Sequence, residues 1–205
     1  MPESYRQSVD RLINHALRVC EALEVHEERN FDREQAVLLN GLLALPESTS
    51  GHPDDLGPRY VLACWLDELF IHYSPWASRW NENKLEDRLY GVNDRAWEFW
   101  RQARVAEGRG DEELLRTLYL CVALGFRGQL RDDPQSLEQW MDRMKVRVSR
   151  YDGAARSLDV FDRTPRAPQV LTGDRALRQA VTTAAVVLLA STPVLTYAFL
   201  QYLLR

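Results

Sequence analysis

Disulfide chemistry is the first thing this sequence lacks. Cys20, Cys64 and Cys121 are its three cysteines, an odd number in apolar surroundings with no C-x-x-C pair. The pattern excludes a disulfide framework or zinc ribbon and fits buried thiols in a reducing compartment. Catalytic and nucleotide-binding signatures are missing too. No G-x-S-x-G elbow, phosphate-cradling lysine loop, G-x-G-x-x-G or H-E-x-x-H occurs, and the G-R-G at 108–110 is too short to cradle phosphates. No stretch alternates with the two-residue period of a strand, and there is no internal repeat. Positive charge is not in excess either. Its 26 Lys and Arg face 30 Asp and Glu, a net charge of −4, so non-specific nucleic-acid binding is not expected. Lysine itself is scarce, with only Lys84 and Lys145.

The longest absence is of charge. Between Arg178 and Arg205 stand 26 uncharged residues, centred on AVVLLASTPVLTYAFLQYLL. A bilayer core takes roughly 20 apolar residues at helical rise, and a helix there satisfies its own backbone. A buried helix of a soluble domain is the alternative. The spacing therefore predicts a C-terminal transmembrane anchor carried by Val181, Val186, Val187, Leu188, Leu189, Pro193, Val194, Leu195, Phe199 and Leu200. Pro193 should kink it. Arg163, Arg166, Arg175 and Arg178 precede the run and Arg205 alone follows, which puts the N-terminal side in the cytoplasm. The first residues have no apolar core of signal-peptide length. Small residues from Thr182 to Ser191 could let a second such helix approach.

The rest reads as helices. Tyr5, Val9, Leu12, Ile13, Ala16, Leu17, Cys20 and Leu23 form one stripe. Phe31 to Leu45 should follow, with Ala36, Leu39, Leu42 and Leu43 on its apolar side and Pro46 as its stop. Residues 46–58 read as a loop. Arg59 to Tyr73 is apolar nearly all round and so is the expected central helix. A turn and a short helix ending at Gly91 come next, then a helix capped by Asn93, one capped by Asp111, and one opened by Asp133-Pro134 that runs to Tyr151. Leu137, Met141, Met144, Val148 and Tyr151 should form its packing seam. The expectation is an all-α protein with a helical domain at 1–152, a linker at 153–173 and an anchor at 174–205. Trp65, Trp76, Trp80, Trp97 and Trp100 crowd the middle third, as core packing or, where exposed, as docking surface.

Asp67 and Glu68 stand out because they interrupt the apolar central helix. Buried carboxylates must be paired, hydrogen-bonded or protonated. They either cap neighbouring helices and pair with arginines, or line a cleft that a partner enters. Being adjacent, they point about 100° apart and cannot form an acid–base dyad alone. Cys64, Glu68 and His72 share a face but span about 12 Å of axis, too far for one metal ion. No catalytic group, metal or cofactor is expected.

Three blocks together resemble a known family. They are YVLACWLDELF with Ala63, Asp67 and Glu68; Trp80 with LEDRLYG and then Trp97-Glu98-Phe99-Trp100; and LYLCVALGFRGQLR with Tyr119, Cys121, Leu124, Gly125, Phe126, Arg127 and Gly128. With a single C-terminal membrane helix, the chain resembles the DotU/TssL (IcmH-like) family of type VI and type IVB secretion systems over Tyr5 to Tyr151 and the tail. Phe99-Trp100 replaces the paired phenylalanines frequent in the family, and Gln129-Leu130 replaces its basic-aromatic continuation. With no residue after Arg205, a peptidoglycan-binding extension is not expected. The resemblance implies a cytoplasmic bundle of two small sub-bundles forming a hook. It also implies a non-enzymatic inner-membrane scaffold that joins an IcmF/TssM-like protein, docks TssK-like baseplate components and self-associates as a homodimer or larger assembly. Asp67, Glu68, Trp80 and Arg127 are the expected partner-binding residues. The alternative is a tail-anchored groove protein that binds an amphipathic helix.

Overall fold

A computed structural model describes residues 5–48 and 55–159, with side chains through Asp152. Every regular element among the described residues is helical. In order these are α1 (Tyr5–Glu24), α2 (Phe31–Leu43), α3 (Gly57–Tyr73), α4 (Ala77–Glu82), α5 (Leu85–Tyr90), α6 (Arg95–Arg109), α7 (Glu112–Ala123), a 3-10 turn (Gly128–Leu130) and α8 (Pro134–Asp159). The proposed anchor at 174–205, with Val181 to Leu200, lies outside the described residues. No helix among the described residues is long and apolar enough to cross a membrane.

Helix α3 is central because it has no polar side to leave in water. Tyr60 to Phe70 are all buried, and α3 packs against α1, α2, α4, α5, α6 and α7, while α8 packs on α7. Pro58 starts the helix where its missing N–H costs nothing. It follows Gly57, whose φ of 61° favours glycine and where a Cβ would clash with the Glu47 carbonyl oxygen. Each fully buried large side chain of this core contributes roughly 1.5–3 kcal/mol.

The outer helices keep the expected stripe on α1, where Val9, Leu12, Ile13, Ala16, Cys20 and Leu23 are buried. On α2 the buried face is turned from the expected one. Phe31, Glu34, Gln35, Leu38 and Leu42 face inward, whereas Leu43 is exposed and so is Ala36. The reason is what α2 meets on the helices packed against it. Phe31 meets Trp76 and Trp80 edge-on, and Gln35 Nε2 donates to the Asn83 carbonyl at 2.8 Å. Side-chain bonds thus let two polar residues sit where alanine and leucine were expected.

Helix ends follow local chemistry, with two corrections. Asn30 and Asp111 cap α2 and α7 by accepting from Arg33 N and Leu114 N, and Asp133 accepts from Ser136 N at the start of α8. Asn93 does not cap α6. Asp94 takes the N-cap position, while Asn93 Nδ2 donates to Asp87 Oδ1 at 3.3 Å. Helix α8 also passes Tyr151 and ends at Asp159. Alanine, arginine and leucine beyond Gly153 are good helix formers, and no proline intervenes before Pro165.

Candidate functional site

The four singled-out residues of the domain pair off. Asp67 and Trp80 form one pair, and Glu68 and Arg127 form the other. Both pairs start from neighbouring positions on α3, whose carboxylates leave it in different directions.

Asp67 is fully buried, at 0 % exposure, and three donors meet it. Trp80 Nε1 donates to Oδ1 at 2.8 Å, Leu85 N to Oδ1 at 2.8 Å, and Glu86 N to Oδ2 at 2.9 Å. The two backbone donors are the free N–H groups of the first turn of α5, which has no cap from its own N-cap residue Lys84. Asp67 therefore caps α5 from another helix, with its charge at the positive end. Burial pushes its carboxyl above the usual range, and the Glu86 and Leu85 N–H groups, the Trp80 indole and the charge of Arg95 pull it back. Trp80 stacks on Phe70 with ring centroids 4.1 Å apart, so α3, α4 and α5 lock at one point.

Glu68, 4 % exposed, serves the opposite side. Its Oε1 accepts from Arg127 N at 2.9 Å and from Arg131 Nη2 at 3.0 Å, and Oε2 accepts from Gly128 N at 3.2 Å. It thereby satisfies the turn that follows α7. The Arg127 guanidinium folds back, donating to the carbonyls of Val122 and Phe126 at 2.7 and 2.9 Å. This places a cation on carbonyls at and just beyond the end of α7. Trp100 Nε1 donates to the Arg127 carbonyl at 2.9 Å, and Phe99 stacks on Phe126 at 3.9 Å. Gly128, at φ 52°, lets the turn close on α6, since a Cβ there would lie 2.7 Å from the Ala96 carbonyl oxygen.

Sequence reasoning missed Glu86. It is fully buried, and its Oε1 accepts from the Tyr60 hydroxyl at 2.6 Å and from Asp94 N at 2.9 Å. Among the described residues its Oε2 has no hydrogen-bond partner, and burial pushes its carboxyl up. In the sequence it is one more acid in the first turn of a short helix. The only signal was its place inside LEDRLYG.

The tryptophans divide. Trp65, Trp80 and Trp100 are buried, whereas Trp97 is 52 % exposed on α6. All three cysteines are buried and free, with burial pushing the Cys20 thiol up to about 11 and Cys64 well above its ordinary value. No group of three or more metal-type side chains occurs among the described residues. Cys64 is sealed in the core and Glu68 is committed to backbone donors. A shallow cavity of about 270 Å³ lies between α1 and α2, bordered by Leu12, Val37 and Gly41 with Arg11, His15 and Arg18. The arrangement thus uses two carboxylates to fix distant chain segments against one helix.

No curated protein and no solved structure matches the chain. The family model described as type VI secretion system protein DotU matches residues 51–203, from ahead of α3 through both carboxylate pairs and into the uncharged run.

Proposed function

Because the chain belongs to the DotU family of type VI secretion system proteins, we propose that it is a non-enzymatic, tail-anchored scaffold of the inner membrane. Residues 179–204 hold it in the bilayer, with the helical domain cytoplasmic. The domain joins an IcmF/TssM-like membrane protein and docks TssK-like baseplate components, while the tail adds self-association. The hook of two sub-bundles belongs to the same reading.

One observation carries the proposal. The family match spans the blocks that the two carboxylates tie together, and its described residues, 55–159, hold both carboxylate pairs. Asp67 and Trp80 act in it as positioning residues, shaping the surface from within. Glu68 and Arg127 fix the turn after α7, and Trp97 offers the exposed aromatic surface that a partner buries. The α1–α2 groove favours a second reading, in which a partner's amphipathic helix lies between Leu12 and Val37.

The test is affinity capture of the full chain from detergent-solubilised membranes. Recovery of a large IcmF-like membrane protein together with baseplate components is expected. Capture of neither, under conditions that keep such complexes intact, would overturn the scaffold reading.

A further inference from the structure

We infer that the face of α8 bearing Arg143, Val146 and Arg150 rests on the anionic phosphate surface of a lipid leaflet. The inference rests on the proposed tail anchor and adds a second, peripheral membrane contact to it.

The surface is built on one side of the helix. Arg143, Val146, Arg147 and Arg150 follow at helical spacing and, with Glu112 and Tyr151, border an open concavity of about 550 Å³. Arg147 is committed, its guanidinium lying 2.8 Å from Glu112. Arg143 and Arg150 are exposed and pair with no acidic group among the described residues. Between them Val146 is 53 % exposed, an aliphatic side chain set among cations. Helices that lie in the interface of a bilayer combine these two features.

Charge partition along the chain selects the occupant. Residues 143–178 carry nine Arg and Lys against four Asp, a surplus of five, in a chain whose net charge is −4. The surplus begins on α8 and continues to the edge of the uncharged run. An acidic protein would be matched by a local patch anywhere on the domain. A leaflet is matched by positive charge that accumulates toward the point of membrane entry, because the attraction of anionic lipids fades within about 8–10 Å of the surface.

The experiment uses the full chain reconstituted into two kinds of vesicle, phosphatidylcholine alone and phosphatidylcholine mixed with phosphatidylglycerol. An environment-sensitive fluorophore is attached at Val146→Cys. The native thiols are buried, which protects them from labelling. A second preparation carries the label at Val25→Cys, exposed beyond the end of α1.

A blue shift at position 146 only in the anionic vesicles is expected. It should vanish in high salt and in the Arg143→Glu, Arg150→Glu double variant, with position 25 unresponsive throughout. Equal emission in both vesicles from protein that resists alkaline carbonate extraction overturns the inference and leaves the anchor standing. Extraction by carbonate from both vesicles overturns the anchor and the inference with it. A response at position 146 to an added acidic protein but not to phosphatidylglycerol assigns the face to a protein partner and overturns the lipid reading.

Discussion

Glu68 Oε1 lies 2.9 Å from the backbone nitrogen of Arg127, although 59 residues separate them. A carboxylate on the central helix thus does for the turn after α7 what a local cap does for a helix end. The same oxygen reaches Arg131, but that side chain is 46 % exposed, so the ion pair adds little through screening solvent. The backbone bonds matter more.

Removing that acceptor should be costly, and keeping half of it should cost less. Glu68→Ala leaves the Arg127 and Gly128 N–H groups without a partner, a loss of about 1–3 kcal/mol. Glu68→Gln retains one oxygen and should lose about half as much. In thermal denaturation each kcal/mol corresponds to roughly 2–4 °C for a domain of this size. Equal melting temperatures for the three proteins would show that the turn holds without Glu68.

Asp67 should tolerate neutralisation better than truncation. Asp67→Asn can still accept at one oxygen from Trp80 and Leu85 but places an amide donor against Glu86 N, costing about 1–3 kcal/mol. Asp67→Ala orphans all three donors and should cost more than about 4 kcal/mol. With Asp67→Asn and Glu68→Gln combined, partner capture measured on protein that remains folded reads the effect on the docking surface.

Glycine substitutions separate backbone strain from crowding. Gly91 ends α5 at φ 67° with nothing within 4 Å of a Cβ, whereas Gly128 is at φ 52° with the Ala96 carbonyl at 2.7 Å. Gly91→Ala should cost about 1 kcal/mol, the left-handed penalty alone. Gly128→Ala should cost at least about 2 kcal/mol, because strain and a backbone clash combine. Urea unfolding of both variants checks the order, and a smaller loss at Gly128 would contradict the tight approach of the turn to α6.

Glu86 predicts a pH dependence of known sign. Burial raises its carboxyl above the ordinary value of 4.5, against the bonds from Tyr60 and Asp94 N–H. In the window above 4.5 the folded state binds more protons than the unfolded one, so this group's contribution to stability falls as pH rises toward its folded value. Below the window the contribution is most favourable, and above it the penalty is constant. Glu86→Gln should flatten the curve of melting temperature against pH above about 4.5. An unchanged slope would mean that Glu86 titrates alike in both states.

Trp97 should act on binding and not on folding. Its exposure keeps the stability cost of Trp97→Ala within about 0.5 kcal/mol. Partner capture should weaken by about 2 kcal/mol, the scale of an aromatic hot spot. A strong loss of melting temperature instead would place Trp97 in the packing.

Much of this molecule is local and so was legible in the chain. The α1 stripe, the Asp111 and Asp133 caps, the glycine stop at Gly91 and the nearly all-round apolarity of α3 each depend on residues within a few turns, where helical period and capping chemistry decide the outcome. The family blocks belong here too, and with them the need for Asp67 and Glu68 to find partners. Tertiary structure alone decided which partners. Leu85 N, Glu86 N and Arg127 N are backbone donors that every residue but proline supplies, so nothing in the sequence marks them as the acceptors' destination. The turned face of α2, the sealing of Trp80, the exposure of Trp97 and the burial of Glu86 have the same origin. Each depends on which surface arrives opposite, and periodicity fixes only that a helix has a buried side, leaving its neighbours to choose which side that is.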